Sequence, residues 1–454
     1  MIPRELWWML ILLGVIIVSF VVLKRAIYEA MLTGFVVLTV LMGQTANLFH
    51  YLLKPSTNTL FYAIVAFLAL AYVFGKTNVV HTIIQFMMAL VGRLRGGAGY
   101  VALFSSTFMA ALSGTGPGNV AATGVFTIPA MIRTGFSPAL AATVEMSASS
   151  LGPMIPPSGT ILLAFGILDV MFPGTYALST FWLVVWGIGL WFIVQRLVLL
   201  FILCRADKVE PVPADEIPKL GETVRTGWKA LLVPLIIFLP LLFDFLFKDT
   251  LITARIGEAG AAALSSSIIQ FTPGVAALYT LWIARNSLEG GFSPKGLFRL
   301  FKEGAGQIIP VAATIYFAYC ISELFGDANV GEALGDFIGS FRLTGWQIAV
   351  FIPLLTTFLG MFLPGSSQIA IFGAGLVGSM AAVGMSPLLA AAMLPAITGA
   401  LEGMTPPLAL AMYTAMGISG SGMKETSRYA LIWVAGHLLI ALLLLLGILP
   451  IPFL

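Results

Sequence analysis

The chain has 454 residues, of which 59% are hydrophobic and only 9% are charged, and its mean hydropathy is +1.01. A water-soluble domain carries about 25% charged residues, so this composition indicates a polytopic membrane protein. The net charge of +3 does not indicate a nucleic acid partner, because the basic residues lie in short loops, where they orient a membrane chain.

Ten apolar runs have roughly the 17–25 residues that a membrane-crossing helix needs. The first follows Arg4 without a small-residue cleavage site, so it is predicted to be a retained helix and not a signal peptide. The predicted spans are Trp7–Leu23, Ala26–Met42, Thr59–Phe74, Ser137–Val170, Ala177–Cys204, Ala230–Phe247, Glu258–Ala284, Glu303–Phe325, Ser386–Gly417 and Tyr429–Leu449.

Two further apolar stretches, Gly99–Arg133 and Gly345–Val383, are each interrupted at the centre. The interrupted centre of the first stretch is Ser113–Asn119, called the first tip below, and that of the second is Leu363–Gln368, called the second tip. Glycine costs about 1 kcal/mol and proline about 3 kcal/mol in a helix interior. Because lipid cannot satisfy the freed backbone groups, such breaks must be buried in protein or line a polar cavity. Both stretches are therefore predicted to be re-entrant hairpins.

The distribution of Lys and Arg predicts the orientation, because these residues accumulate on the cytoplasmic side. The segments Arg205–Lys229 and Arg285–Lys302 are basic, whereas Asp327–Asp336 is acidic and Gly43–Asn58 is sparsely charged. With the basic segments inside, both termini face outward. The first hairpin then enters from the cytoplasm and the second from the outside.

The two halves of the chain repeat one pattern in opposite orientation. Thr134–Ala142 and Val383–Ala391 share the sequence Gly-x-Ser-Pro, each follows a hairpin, and each leads to a double proline, Pro156-Pro157 or Pro406-Pro407. Inverted repeats with broken helices are typical of secondary transporters, with the binding site at the membrane midplane.

Each half also has a crossing helix that is interrupted. The interrupted segment is Ser147–Gly159 in the first half, called the first break below, and Thr398–Pro407 in the second half, called the second break. Proline frees carbonyls in the preceding turn. With Ser and Thr hydroxyls, those carbonyls are ligands suited to an alkali cation. The N-termini of the resuming helices favour a carboxylate. This machinery predicts a cation-coupled carrier of a small organic anion, with no cofactor.

Two acids stand out beside these segments: Glu402 lies within the second, whereas Glu145 lies just before the first, about one turn before Ser149. A carboxylate in the middle of a membrane is costly and usually functional, so both are candidate proton carriers. Alternatively, each bonds freed backbone amides or faces a water-filled crevice.

Two other functions remain open from the residues alone. One is a stand-alone carboxylate symporter that needs no binding protein. The other is an intramembrane serine protease, because Gly417–Gly420 reads Gly-x-Ser-Gly. That activity would require Ser419 and His437 to come within hydrogen-bonding distance.

The motifs of Gly96–Gly159 are Gly-Gly, Ser-Gly-x-Gly, Gly-Phe-Ser-Pro and Gly-Pro-Met-Ile-Pro-Pro, and the second half has Gly-Met-Phe-Leu-Pro and Met-Thr-Pro-Pro. This arrangement resembles the large membrane subunit of tripartite ATP-independent periplasmic (TRAP) transporters along essentially the whole chain. Gly-Pro-Gly-Asn in the first tip and Glu402 look like the branch served by TAXI-type binding proteins.

The resemblance implies an all-α elevator-type fold of the ion-transporter superfamily in a bacterial or archaeal inner membrane. It also implies a small four-helix membrane subunit, a periplasmic solute-binding protein and Na⁺ as the usual coupling ion, with H⁺ as the alternative. The identity of the substrate stays open.

By this resemblance, one Na⁺ lies between Ser113–Asn119 and Ser149–Gly152, and a second lies between Leu363–Ser367 and Thr398–Thr405. The implied ion ligands are Ser113, Gly114, Asn119, Ser149, Ser150, Gly152, Gly365, Ser366, Thr398, Gly399 and Thr405. The implied substrate-binding residues are Ser113, Thr115, Gly116, Asn119, Ser158, Ser366, Ser367 and Gln368.

The predicted organisation has two transport-domain halves surrounded by scaffold helices. The segments are an extra N-terminal helix (1–25), scaffold helices and the arm of repeat 1 (26–95), transport half 1 (96–172), scaffold helices with the cytoplasmic loop 205–229 and the arm of repeat 2 (173–344), transport half 2 (345–420) and a C-terminal helix (421–454).

Overall fold

A computed structural model describes residues 3–113, 116–288, 292–361, 363–406, 409–452 and 454 of the chain. Within these ranges the regular structure is entirely helical. In chain order the α-helices are α1 (Arg4–Ile17), α2 (Ile27–Leu41), α3 (Leu48–Leu53), α4 (Thr59–Gly75), α5 (Val79–Val91), α6 (Gly97–Ser113), α7 (Gly116–Arg133), α8 (Pro138–Ser149), α9 (Gly159–Met171), α10 (Leu178–Ala206), α11 (Leu220–Leu231), α12 (Val233–Phe247), α13 (Thr253–Ile283), α14 (Pro294–Asp327), α15 (Val330–Ser340), α16 (Gly345–Gly360), α17 (Gly365–Ala382), α18 (Pro387–Ile397), α19 (Gly399–Glu402), α20 (Leu410–Ser419) and α21 (Met423–Leu445).

Several of these helices are long and apolar enough to cross a membrane. In the described part of the chain, four segments meet this criterion alone. One is formed by α8 and α9 together, and the others are the single helices α10, α14 and α21. Three bent pairs meet it jointly, and the pairs ending at Gly75 and Phe247 are bent by 58° and 53°. The chain is therefore a multi-pass, all-helical membrane protein. The count of ten full spans stays a prediction.

The two interrupted stretches form two packed helix pairs. Helix α6 packs against α7, and α16 packs against α17. Both crossing helices are broken where prolines cluster. In the first, a 3₁₀ turn at Gly152–Met154 separates α8 from α9. In the second, the single-turn helix α19 lies between α18 and α20.

The two Gly-x-Ser-Pro turns have the same backbone geometry. Gly135 has φ +93° and Gly384 has φ +89°, a left-handed conformation that glycine adopts without a steric penalty. In each turn the following amide bonds a carbonyl five residues back, Phe136 N to Met131 O and Met385 N to Met380 O, both at 3.1 Å. Each helix before a turn thus ends in a Schellman-type cap, and the next helix begins at a proline.

The two halves of the chain share one core. Helix α9, from the first half, packs against α17 and α18 of the second, and α20, from the second half, packs against α7 and α8 of the first. Helix α14 packs against both α2 and α4 beside this core, and α1 packs on α2 and α15.

Besides the six-residue α3, three helices lie where the predicted spans leave only loops, namely α5, α11 and α15. Each is too short to register as a crossing segment. Helix α11 lies inside the predicted cytoplasmic loop and packs against α5. Helix α15 packs closely on α17, because a Cβ added to Gly331 would lie 2.8 Å from the Cβ of Ala374.

Two predicted spans also differ in shape from the structure. Helix α14 runs from Pro294 to Asp327 and so extends beyond the predicted span Glu303–Phe325 at both ends. Ser293 caps its start by accepting a hydrogen bond from Gly296 N. The helix assigned to Glu258–Ala284 begins earlier and is kinked at Gly257, which has φ +75°.

Candidate substrate and cation site

A cavity of about 590 Å³ lies where both hairpin tips and both helix breaks meet. A volume of this size falls within the roughly 300–1,000 Å³ typical of small-molecule sites. The cavity is lined by Pro117 and Gly118 of the first tip, Pro153 and Gly159 of the first break, Pro364 and Ser366 of the second tip, and Gly399, Glu402 and Gly403 of the second break.

These segments approach so closely because glycine occupies the contacts. A Cβ added to Gly365 at the second tip would overlap the backbone of Gly399 in the second break. One added to Gly399 would lie 2.9 Å from the Cβ of Pro153 in the first break. The two breaks therefore contact each other at the cavity wall, and the second tip packs against the second break.

Three helices begin at the cavity wall: α7 at Gly116, α9 at Gly159 and α17 at Gly365. The first amides of a helix have no partner within the helix, and the helix dipole adds partial positive charge there. Ser158 caps α9 by accepting from Thr160 N at 3.2 Å. Three N-termini around one cavity form an environment suited to an anion.

The opposite wall comes from α4 and α14. Helix α14 presents Gln307, Pro310, Val311 and Thr314 to the cavity, a spacing that places all four on one helix face. Helix α4 contributes apolar side chains, including Phe67. The cavity thus lies between the interlocked halves and a separate two-helix wall.

Both hairpin tips carry buried oxygens without a hydrogen-bond donor. In the first, Asn119 donates its amide to Ser106 O at 3.0 Å and to Ser149 Oγ at 2.7 Å, which leaves its Oδ1 unpaired. In the second, Gln368 donates to Leu363 O at 3.1 Å, which leaves its Oε1 unpaired, and Ser367 Oγ is also unpaired. Buried polar atoms are rarely left unpaired. Of the ten such side-chain atoms in the described part of the chain, three lie in the two tips, and all three are oxygens that could bind a cation.

Glu145 is fully buried between α6, α7 and α8. Its carboxyl group accepts hydrogen bonds at 2.6 Å from each of Ser106, Thr123 and Thr127. Ser149 lies 3.5 Å from the same carboxyl group. The sequence leaves Glu145 open as a proton carrier or as an acid that bonds nearby backbone amides. The structure shows it bonded to nearby groups, but these donors are hydroxyls and not backbone amides.

Glu402 has a different environment. One carboxylate oxygen accepts from Gly365 N at the start of α17, and the residue lines the cavity. Within the described part of the chain, its other oxygen has no donor. Glu402 therefore links the second break to the second tip and presents one free acceptor to the cavity.

Arg196 is a fully buried cation on α10, behind the first break. It donates to Ser150 Oγ at 3.3 Å and bonds His437 Nδ1 at 2.9 Å, and it also bonds its neighbour Gln195. His437 Nε2 lies 2.8 Å from Ala396 O, so Nδ1 is the acceptor and Nε2 the donor. This pair joins α10 and α21 to the break of each half.

The structure places the remaining predicted site residues in or beside the two breaks. The hydroxyls of Ser150, Thr398 and Thr405 donate to nearby backbone carbonyls at 2.7–2.9 Å. Ser150 Oγ also accepts from Arg196. Gly152 packs directly on Ala110 of α6. The side chain of Ser113 and residues 114, 115 and 407 lie outside the described residues.

The predicted site includes Asn119 but omits several other polar residues found here, namely Thr123, Thr127, Arg196, Gln307 and Thr314. Asn119, Thr123 and Thr127 recur every four residues along α7, a polar stripe that the sequence displays. Arg196 is the single basic residue within an otherwise apolar run, a pattern that marks functional positions in membranes. Gln307 and Thr314 repeat every seven residues on α14.

The protease alternative does not fit this geometry. Ser419 donates to Ser421 Oγ at 2.9 Å, whereas both ring nitrogens of His437 are engaged by Arg196 and Ala396. The base is therefore committed elsewhere, and the proposed nucleophile lies beyond its reach.

Comparison with curated proteins agrees with the motifs. The chain is 25% identical over 378 residues to the C4-dicarboxylate TRAP transporter large permease DctM of Pseudomonas aeruginosa, covering 82% of this chain and 80% of that protein. It is 21% identical over 354 residues to the sialic acid TRAP transporter large permease SiaM of Vibrio cholerae, covering 77% and 75%. These relatives are permeases and not enzymes.

Solved structures show the same fold at lower identity. MtrF of Neisseria gonorrhoeae, described with a class of antimetabolite efflux pumps, matches with a TM-score of 0.62 at 15% identity, covering 88% of this chain and 84% of that one. The YdaH transporter of Alcanivorax borkumensis matches with a TM-score of 0.59 at 16% identity, covering 89% and 88%.

Residues 6–451 match the family described as the tripartite ATP-independent periplasmic transporter, DctM component. This match spans nearly the whole chain and confirms the resemblance drawn from the hairpin and break motifs. The protein belongs to the DctM family of TRAP transporter large permeases and is a subunit of a secondary transporter.

Proposed function

We propose that this permease carries a small organic anion across the inner membrane by cation-coupled symport. It works with a small membrane subunit and a periplasmic binding protein, as the tripartite family description implies. The convergence of three helix N-termini on one cavity supports an anionic substrate.

The observation that carries the coupling proposal is the set of unpaired buried oxygens at the two tips. Asn119 Oδ1, Ser367 Oγ and Gln368 Oε1 all lack donors among the residues that the structure describes. Amide, hydroxyl and carbonyl oxygens are hard ligands, and alkali cations are bound by such groups. We therefore propose Na⁺ as the co-transported ion, with one ion held beside Asn119 and a second beside the second tip.

The proposed movement is of elevator type. The interlocked halves form one body, and α4 with α14 supplies the facing wall of the cavity. Sliding this body along that wall would expose the same cavity first to one side of the membrane and then to the other.

Uptake into liposomes tests the proposal. The permease is reconstituted with its small membrane subunit and binding protein, and radiolabelled organic acids are supplied under an inward Na⁺ gradient or an inward pH gradient. We expect uptake driven by Na⁺ and nearly independent of the pH gradient. Uptake driven by pH in sodium-free buffer, and lost in Glu402→Gln, would instead establish proton coupling. The same experiment without the binding protein separates a tripartite system from a stand-alone symporter.

The Asn119→Ala variant tests the first ion position. Removing Oδ1 should raise the Na⁺ concentration for half-maximal uptake about tenfold, which corresponds to about 1.4 kcal/mol of ion binding. Asn47→Ala is the control, because that amide is exposed and bonds only Gln44 in a loop. An unchanged Na⁺ dependence in Asn119→Ala would contradict the proposed ion position.

A further inference from the structure

The charge distribution around the cavity restricts the ligand that it can hold. Residues 345–420 contain no Lys, Arg or His, and their one acid is Glu402. Residues 96–172 contain one basic residue, Arg133, which is exposed and lies 4.0 Å from Glu216. Among the described residues that line the cavity, Glu402 is the single charged side chain.

The nearest buried cation is already committed. Arg196 bonds Ser150, His437 and Gln195 behind the first break, and it does not line the cavity. The helix N-termini and the two proposed Na⁺ ions would balance Glu402 and one ligand carboxylate. A second anionic group would then meet no basic side chain among the described residues that line the cavity, since Lys76 lines an adjoining cavity and not this one. It would also be repelled by Glu402, and like charges in a low-dielectric site are strongly unfavourable.

The remaining wall is mostly apolar. Ile64, Phe67 and Leu68 of α4 and Val311 and Ile315 of α14 face the cavity. Such a surface stabilises an apolar ligand body by removing it from water. The neutral polar groups in the lining, such as Thr160 and Gln307, add hydrogen bonds without adding charge.

Glu402 places a hydrogen-bond acceptor opposite the ligand. One oxygen is held by Gly365 N, and the other has no donor within the described residues. A ligand that leaves this acceptor unpaired would lose affinity, whereas an ammonium or hydroxyl group on the ligand would satisfy it.

We propose that the substrate is a monocarboxylate with an apolar body and a hydrogen-bond donor next to the carboxylate, and that dicarboxylates are excluded. This inference rests on the proposed transport function and specifies its substrate class. The donor is an ammonium group in an amino acid or a hydroxyl group in a 2-hydroxy acid, and Glu402 is the residue that selects for it.

A matched ligand panel tests the substrate class. The full-length permease, with its small membrane subunit where the two copurify, is placed in lipid nanodiscs. Binding is measured by thermal stabilisation in saturating Na⁺ with L-leucine, L-2-hydroxy-4-methylpentanoate, 4-methyl-2-oxopentanoate and succinate. We expect the first two to bind at least tenfold more tightly than succinate, and more tightly than the oxo acid. Tighter binding of leucine assigns the donor as ammonium, and tighter binding of the hydroxy acid assigns it as hydroxyl. Succinate binding as tight as either would overturn the inference.

The Glu402→Gln variant tests the selecting residue, and Asp169→Asn is the control because that exposed carboxyl group lies outside the cavity. We expect Glu402→Gln to reduce the preference for the favoured ligand over succinate at least tenfold and Asp169→Asn to leave it unchanged. An unchanged preference in Glu402→Gln would overturn the role of Glu402.

Uptake separates this inference from the transport function. Uptake of succinate in place of the donor-bearing acids would overturn the substrate class and leave the transport function intact. Binding of leucine or the hydroxy acid without uptake of any acid would overturn the transport function alone. If a folded protein neither bound nor transported any acid, both would be contradicted.

Discussion

At the scale of single residues, two acids with similar sequence settings have different roles. Glu145 is enclosed by three hydroxyl donors at 2.6 Å, whereas Glu402 faces the cavity and holds the second tip through Gly365 N. The sequence identifies both acids as notable, because carboxylates are rare within membranes. It could not distinguish them, because the hydroxyls around Glu145 come from α6 and α7, up to 39 residues away in the chain.

Replacing Glu145 by Gln should destabilise the protein and leave the coupling ion unchanged. The glutamine amide has one acceptor oxygen where the carboxylate has two. Its NH₂ group would point at hydroxyls that donate to the carboxylate in the wild-type protein. The mismatch of a buried polar group costs about 1–3 kcal/mol. Thermal unfolding in detergent measures the loss, with Glu425→Gln in the exposed first turn of α21 as the control. Unchanged stability together with loss of pH-driven uptake would contradict this role and identify Glu145 as a proton carrier.

At the scale of helices, the site depends on contacts that glycine makes possible. The tip of α17 closes on the second break because neither Gly365 nor Gly399 has a side chain. The sequence predicts where the tips and breaks lie, because glycine and proline residues mark them directly. The sequence does not reveal which break touches which tip, because these contacts join positions distant in the chain.

The Gly365→Ala variant should abolish ligand binding and preserve the fold. The added methyl group meets the backbone of Gly399, which cannot rotate away as a side chain could, so the tip must move off the break. Gly378→Ala on the same helix is the matched control, because its Cβ would meet no atom within 4 Å. Ligand-induced thermal stabilisation measures the effect. Normal binding by Gly365→Ala would show that the tip does not close on the break.

Helices α10 and α21 are held to the two breaks by the buried Arg196–His437 pair. Helix α10 packs on α18 and helix α21 packs on α8. We therefore expect both to move with the transport halves, although the sequence predicts 173–344, which contains α10, as scaffold. Replacing Arg196 by Met leaves His437 and the carbonyls of the network without a donor. Leaving a buried polar group unsatisfied costs about 1–3 kcal/mol, so Arg196→Met should lower the unfolding temperature.

Arg205→Met near the end of the same helix is the control, because Arg205 is exposed. Arg196→Lys should fall between the wild-type protein and Arg196→Met, since lysine keeps the charge and loses the planar guanidinium geometry. Equal stability of Arg196→Met and the wild-type protein would contradict the joining role of this pair.

At the scale of the whole molecule, composition and proline–glycine breaks predict the membrane class, the hairpins and the broken helices. The matched Gly-x-Ser-Pro turns predict similar local backbone in both halves, and the structure has it at Gly135 and Gly384. The interlocking of α9 and α20 with the opposite halves could not be predicted, because it depends on packing and not on any local pattern. The short helices α5, α11 and α15 were missed because their length falls below that of a span.

The central claim is that the cavity between the tips and breaks is a site reached alternately from both sides of the membrane. Thiol labelling tests it most directly, using Ser366→Cys in a protein whose buried Cys204 and Cys320 are replaced by Ser, reconstituted in oriented liposomes. Thr57→Cys, exposed between α3 and α4, is the one-sided control. We predict that a membrane-impermeant reagent labels Ser366→Cys from either side, that Na⁺ with substrate protects it, and that Thr57→Cys reacts from one side. Labelling of Ser366→Cys from one side under all conditions would contradict the account.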